Sequence, residues 1–448
     1  MGFFQNILNQ LRENEKEIMI EKSGSTRAGG REKDRAGQSY LYKLNGMESE
    51  VLEVRFNENV RGAELNRALT ESMKRYPYFN TRLIEKNGDF YIVQNDAAPV
   101  ARKTRTLARL GGIECGYHLV DITYYGTSIY ISFHHALCDG RGIKPFAETL
   151  IWYYCKFRYG NDTPVDGVRL AGEKLLDGET DDPFAGPAYE YDETKEFESP
   201  SRDAFALPEA DETDGKDYRY EAVIDGGQFM AVCKRVNATP AILVALMASG
   251  AIAELYPDRD KPINANIAAD MREALDCPDT FKNCVRSMIL PYDEKIAAMT
   301  VKERAETYRK LLGEQRDRDY CRREANAIIG LFDKLDACPS YEEKRKIMSF
   351  FEKMRLNTYV ISYLGKFILG ENSKRINSIH LYNSGTDGLG INMIACGDKF
   401  ILDFKQSFES DKYVAAFIAQ ADSLGLACHT GKAIEFATPA DKLIKRGR

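Results

Sequence analysis

A long stretch, residues 161–217, interrupts hydrophobic periodicity in this chain, while Pro, Gly, Asp and Glu accumulate, as in Asp177 to Asp182 and Glu209 to Asp214. On either side of it, short strand-like runs alternate with helical ones. A chain of 448 residues exceeds what one ordinary core absorbs and suits two domains of about 200 residues each. The interruption therefore reads as an acidic crossover joining two halves. The expected plan is a flexible lead-in over 1–37, a first domain over 38–160, the crossover over 161–217 and a second domain over 218–448.

The lead-in combines a short amphipathic start (Phe3, Phe4, Ile7, Leu8, Leu11) with a charged, Gly-rich run from Glu21 to Gly37. A strand is expected at Val51 to Phe56, then a helix carrying Leu65, Ala68, Leu69 and Met73 at helical spacing and ended by Pro77. Thr81 to Ile84 and Phe90 to Gln94 flank the hairpin signal Asn87-Gly88. A second antiparallel pair, Tyr117 to Tyr124 and Ser128 to His134, turns at Tyr125-Gly126-Thr127. The next helix buries Ile143, Phe146, Leu150, Ile151 and Tyr154 and stops at Gly160. In the second half, a strand at Tyr218 to Ile224 precedes an apolar helix opened by Thr239 as cap and Pro240 in the first turn. Another strand, Ile263 to Ala268, leads into charged helices across 293–355. Strands near 358–363, 376–382, 391–396 and 400–406 then precede a last helix at about 411–424. Alternation in both halves gives an α/β class with mixed sheets.

Composition removes several functional classes. The 62 Lys and Arg against 68 Asp and Glu leave a net charge of -6, so no basic field exists to attract a nucleic-acid backbone. No run reaches the roughly 18 apolar residues of a membrane span, and the N-terminus lacks a signal-peptide core, so a cytoplasmic location is expected. The ten cysteines form no CxxC pair, and no two of the five histidines sit at i, i+3 or i, i+4. No metal site is expected.

The chemistry concentrates in Ser132-Phe133-His134-His135-Ala136-Leu137-Cys138-Asp139-Gly140-Arg141-Gly142. Strand alternation puts Ile129, Ile131, Phe133 and His135 on one face and Ser128, Tyr130, Ser132 and His134 on the other. His135 then continues an apolar face and emerges partly desolvated, which keeps an imidazole neutral and able to act as a base. Asp139 lies across a tight turn, where Gly140 and Gly142 would accept backbone angles that other residues avoid, and its carboxylate can brace the loop. His118, His380 and His429 stand outside any such pattern and read as ordinary hydrogen-bonded residues.

This stretch resembles the HHxxxDG signature of the superfamily of chloramphenicol acetyltransferases, nonribosomal peptide synthetase condensation domains, BAHD acyltransferases and alcohol acetyltransferases. The resemblance covers about residues 38–430. Arg75-Tyr76-Pro77-Tyr78-Phe79-Asn80-Thr81-Arg82 is similar to the turn that opens such proteins. Ala269-Asp270-Met271-Arg272 with Thr280-Phe281-Lys282-Asn283 is similar to a second-half motif, and Ile361-Ser362-Tyr363-Leu364-Gly365 to the strand bordering the reaction centre. The DFGWG segment of chloramphenicol acetyltransferases and BAHD enzymes is absent, which places the chain nearer the condensation-like and alcohol acetyltransferase branches.

The resemblance implies two like-folded α/β domains with a tunnel between them, His135 as general base at its middle, and Asp139 ordering the loop through an ion pair with an arginine, for which Arg272 is the candidate. His134 and Gly140 complete the motif. The implied reaction is transfer of an acyl group from a thioester, on coenzyme A or on a phosphopantetheine arm, to an alcohol or amine. With no carrier domain in the 448 residues, acyl-coenzyme A is the expected donor and a small molecule the acceptor; a separate carrier protein is the alternative partner. Ser362, Ser384 and Thr386 offer hydroxyls for the oxyanion, none of them assigned. His134 and Asp139 also fit the HxxxxD spacing of glycerolipid acyltransferases, which usually carry membrane segments. An inactive, ligand-binding member of the fold is the non-enzymatic alternative.

Overall fold

A computed structural model describes residues 34–43, 47–86, 89–197, 203–211, 215–352, 357–386 and 388–438. Two sheets dominate. The first runs in the order Ile376–Tyr382, Ser49–Phe56, Ser128–His134, Val120–Tyr125 and Arg102–Lys103, antiparallel except for its last pair. Two helices, Gly62–Arg75 and Gly140–Tyr159, pack against each other, and both contribute to the core around this sheet. Gly160 ends the second of them in the left-handed region (φ 71°), where a side chain would be strained. The hairpin Thr81–Lys86 with Asp89–Gln94 stands apart from both sheets, and its turn residues Asn87 and Gly88 lie outside the described residues.

The second sheet takes the order Cys428–Thr430, Asp217–Asp225, Lys399–Gln406, Leu389–Cys396, Tyr359–Lys366, Ile263–Asp270 and Val285–Tyr292, with Ile434–Phe436 also paired to Asp217–Asp225. Tyr359–Lys366 is parallel to both neighbours and the other pairs are antiparallel, so the sheet is mixed as expected. Helix Pro240–Leu255 is apolar almost all round and is buried in the core of this sheet with Lys412–Ser423. Thr239 caps it, its hydroxyl accepting from Ile242 N, and Pro240 fills a first-turn position that needs no N–H. Among the described residues, no single helix is long and apolar enough to cross a membrane.

Three features depart from the sequence-based plan. The strand Ile376–Tyr382, in the second half by position, joins the first sheet as the antiparallel partner of Ser49–Phe56. Met271, Leu275 and Phe281, and Phe332 and Leu335 from helix Arg318–Ala337, likewise enter the core of the first sheet. The described residues of the stretch 161–217 are mostly irregular, and residues 179–184 are pinned by hydrogen bonds. Glu179 makes a two-pronged ion pair with the fully buried Arg75 (2.5 and 3.0 Å), and the Asp182 carboxylate accepts from the backbone N–H groups of Arg35, Ala36 and Phe184. Those contacts also tie down the end of the expected lead-in, where Asp34 and Ala36 are buried; residues 1–33 lie outside the described residues.

The two sheets meet across a buried ionic network. Arg55 on the first sheet bonds Glu221 on the second with both terminal nitrogens (2.6 Å each), and Arg219 reaches Glu53 and Glu221. His380 bridges Ser378 (2.8 Å) and Asp403 (2.9 Å). Glu221, His380 and Asp403 converge closely enough to suggest cation ligands, but the guanidinium groups of Arg55 and Arg219 already face those carboxylates. Burial alone would raise the Glu53 carboxyl, yet Arg55, Arg219 and His380 outweigh it and hold it down to about 2.

Candidate active site

The strand Ser128–His134 delivers the paired histidines to the start of helix Gly140–Tyr159. It ends one residue before His135, so His135 sits in the turn and does not continue the strand's apolar face. Ile129, Ile131 and Phe133 do enter the core, but Ser128, Ser132 and His134 on the opposite face are buried as well. The His134 Nδ1 accepts from Ala136 N (3.1 Å), and burial, with His135 and Arg109 nearby, drives its pKa down from the usual 6.5 to about 3. His134 is therefore a neutral packing residue.

His135 is gripped through its backbone. Its N–H donates to Glu48 O (2.7 Å), and its carbonyl accepts from the Asn283 side chain. The imidazole lies flat on the Tyr40 ring, with centroids 3.9 Å apart and planes 3° from parallel. Its Nδ1 is buried with no hydrogen-bond partner among the described residues. Its Nε2 faces Glu50 Oε1 at 3.8 Å, beyond hydrogen-bond reach, and the two side chains keep 13% and 12% of their surface open. The ring is thus fixed in plane, and no hydrogen bond among the described residues engages Nε2.

Asp139 and Arg272 come together from the two halves, each only 1% exposed. Asp139 Oδ1 accepts from Arg272 Nη2 (2.8 Å) and caps the helix through Gly142 N (2.8 Å), while Oδ2 accepts from Cys284 N (3.0 Å). Arg272 also bonds Asp270 Oδ1 (2.9 Å) and the carbonyls of Thr280 (2.8 Å) and Lys282 (2.7 Å). Burial would lower its guanidinium, but the charges of Asp139 and Asp270 more than reverse this, so it stays charged. One carboxylate thus ties the turn after His135 to the loop 272–284, whose Asn283 holds the His135 carbonyl.

Gly140 and Gly142 are needed for closeness and not for unusual backbone angles, which corrects the sequence-based expectation. They are the first and third residues of the helix, outside the positive-φ glycines. A Cβ at Gly142 would fall on the Phe281 carbonyl oxygen, and one at Gly140 would meet Leu364 Cδ1 at 2.9 Å. The missing side chains let the helix start touch both the 272–284 loop and the strand Tyr359–Lys366. Of the candidate oxyanion hydroxyls, Ser384 is engaged with Thr438, each side-chain oxygen accepting from the other residue's N–H. His118 and His380 are buried and bonded, to Cys115 O and Asn80 and to Ser378 and Asp403 respectively.

The fold that carries this site has counterparts in solved structures. F. graminearum TRI101 complexed with coenzyme A and T-2 mycotoxin is similar at a TM-score of 0.58, over 90% of this chain and 100% of that one, with 10% identity. Polyketide synthase associated protein 5 from Mycobacterium tuberculosis matches at 0.54 over 87% and 96%, also with 10% identity. The first condensation domain of the CDA synthetase matches at 0.53 over 90% and 96%, with 12% identity. The chain has the acyltransferase and condensation-domain fold. No protein-family model matches the sequence, and no curated protein matches it at the sequence level.

Within that fold, sequence reasoning missed three residues beside His135. Tyr40 lies on a four-residue helix, Gln38–Leu41, at the edge of the expected lead-in, and no local pattern marks it. Glu50 precedes the strand expected at Val51 to Phe56 and joins it only in the structure, where the strand starts at Ser49. Asn283 belongs to the second-half motif, but its bond to the His135 carbonyl follows only from tertiary packing.

Proposed function

We propose that the protein is an acyltransferase that moves an acyl group from a thioester, acyl-coenzyme A in the first instance, onto an alcohol or amine, with His135 as general base. The observation that carries this is the His135 imidazole, stacked on Tyr40 and held through its backbone, with no hydrogen bond to Nε2 among the described residues and 13% of the side chain exposed. TRI101, which shares the fold, is described in complex with coenzyme A. Donor and acceptor would meet at His135 through an interdomain tunnel.

In this scheme the Nε2 lone pair takes the acceptor proton as the acceptor oxygen or nitrogen attacks the thioester carbonyl. The tetrahedral intermediate collapses, the C–S bond breaks, and the proton passes to the departing thiolate. Asp139 and Arg272 keep the turn in place and take no part in proton transfer. Joint positioning of the two substrates can supply about 7–11 kcal/mol of the barrier.

The test is an acyl-coenzyme A panel with mixed acceptors, following thiol release and product mass. Acceptor-dependent release is expected, and His135→Ala should lower it by about 100- to 10,000-fold with the fold intact. A folded His135→Ala protein with near-wild-type turnover would remove His135 as the base. Transfer from a loaded carrier protein alone, with none from coenzyme A, would replace the donor.

A further inference from the structure

We infer that the acceptor is a primary amine and that Glu50 is the residue that selects it. The inference rests on the proposal that His135 is the base. Glu50 comes from the strand Ser49–Phe56, and its Oε1 stands 3.8 Å from His135 Nε2. That gap is too long for a direct hydrogen bond but shorter than twice about 2.9 Å, so one nucleophilic atom about 2.9 Å from each would bond both groups at once. Both side chains are partly open, so an incoming molecule can contact them.

Counting donors decides which nucleophile fits. A base needs its lone pair on Nε2, and an ionised carboxylate only accepts, so an atom placed between them must satisfy two acceptors. A hydroxyl has one hydrogen and leaves either His135 or Glu50 without a donor. A primary amine offers one N–H to each and still has its lone pair for the carbonyl carbon. Before it reacts, its ammonium form is also the charge that a carboxylate in this place attracts. Burial lowers the Lys405 ammonium, on the strand Lys399–Gln406 of the second sheet, against the opposing charges of Glu50, Asp403 and Asp217, and it hydrogen-bonds the Asn383 side chain.

The chemistry balances. The ammonium first releases one proton to solvent; the neutral amine then forms the C–N bond while the thioester C–S bond breaks. The second proton passes through His135 to the leaving sulfur, giving an amide and a free thiol.

The full-length chain should be assayed with matched alkylamine and alkanol acceptors of equal chain length, and titrated with the same compounds while His135 is followed by imidazole NMR. The amine should be favoured, both in kcat/KM and in the concentration that perturbs the His135 signal. Glu50→Gln should weaken amine use and binding by about 10- to 100-fold, mainly through KM, since a charge-assisted hydrogen bond is lost. Glu50→Asp should restore part of it. The inference falls if the wild type favours the alkanol or treats both alike, or if Glu50→Gln leaves the amine-to-alkanol ratio unchanged. Failure of the base assignment is separable: His135→Ala would then retain turnover on both acceptors, whatever Glu50 does.

Discussion

Replacing Asp139 with Ala should act on stability first and on activity through it. The carboxylate accepts three hydrogen bonds at 2.8–3.0 Å, from Arg272, Gly142 and Cys284, in a setting where it and Arg272 are each 1% exposed. Breaking a buried pair by removing one partner costs about 3–5 kcal/mol, because the remaining charge is left in a poor solvent. Arg272 keeps Asp270 as a second carboxylate, which argues for the lower end, about 3 kcal/mol, with the lost helix cap inside that figure. For a cooperative unit of about 150–250 residues this lowers the melting temperature by about 6–12 °C. Asp139→Asn should fall between wild type and Ala, since its amide nitrogen must face one of the three donors. A double-mutant cycle with Arg272→Met should show coupling of about 1–3 kcal/mol, the double change costing less than the sum. An unchanged melting temperature with lost turnover would refute the bracing role and point to direct chemistry, as would strictly additive single changes.

Three further outcomes follow from the same geometry. Because the His134 pKa falls from 6.5 unfolded to about 3 folded, the unfolded chain binds the extra proton first. Its contribution is present above about pH 6.5 and is lost as pH falls toward 3, by up to about 5 kcal/mol, so His134→Asn should flatten urea-midpoint loss over that window. Glu53, depressed to about 2, contributes stability that is present above its usual 4.5 and is lost between 4.5 and 2; Glu53→Gln should remove that lower acid limb, read in the same titration. Gly142→Ala should unfold the site region far more readily than Gly140→Ala, because the first meets the Phe281 backbone and the second a movable leucine tip, a contrast that thermal melts of the two variants will show.

What was legible in the sequence follows the range of the forces involved. Helix Pro240–Leu255 with its Thr239 cap, the hairpin around residues 81–94 and the strand leading to His134 are written in local periodicity and turn chemistry, and they formed where the pattern put them. The pairing of Asp139 with Arg272 spans 133 residues; the resemblance of two separate motifs suggested it, whereas no periodicity could. The strand Ile376–Tyr382 reads as a strand from its own residues, but its choice of sheet depends on edge pairing with Ser49–Phe56, about which its sequence is silent. The acidic run near Glu179 shows the same limit from the other side. Charge and lost periodicity identify a crossover, yet the partner that makes it rigid, buried Arg75, sits at the end of a helix 104 residues away. Glu50 is the sharpest instance. An acid just ahead of the strand expected at Val51 to Phe56 carries no signal of its own, and it gains chemical meaning only when the turn at His135 brings an imidazole nitrogen alongside. Functional contacts made across a sheet or between halves carry no local signature, so they are found where a side chain's polarity disagrees with its burial once the fold is known.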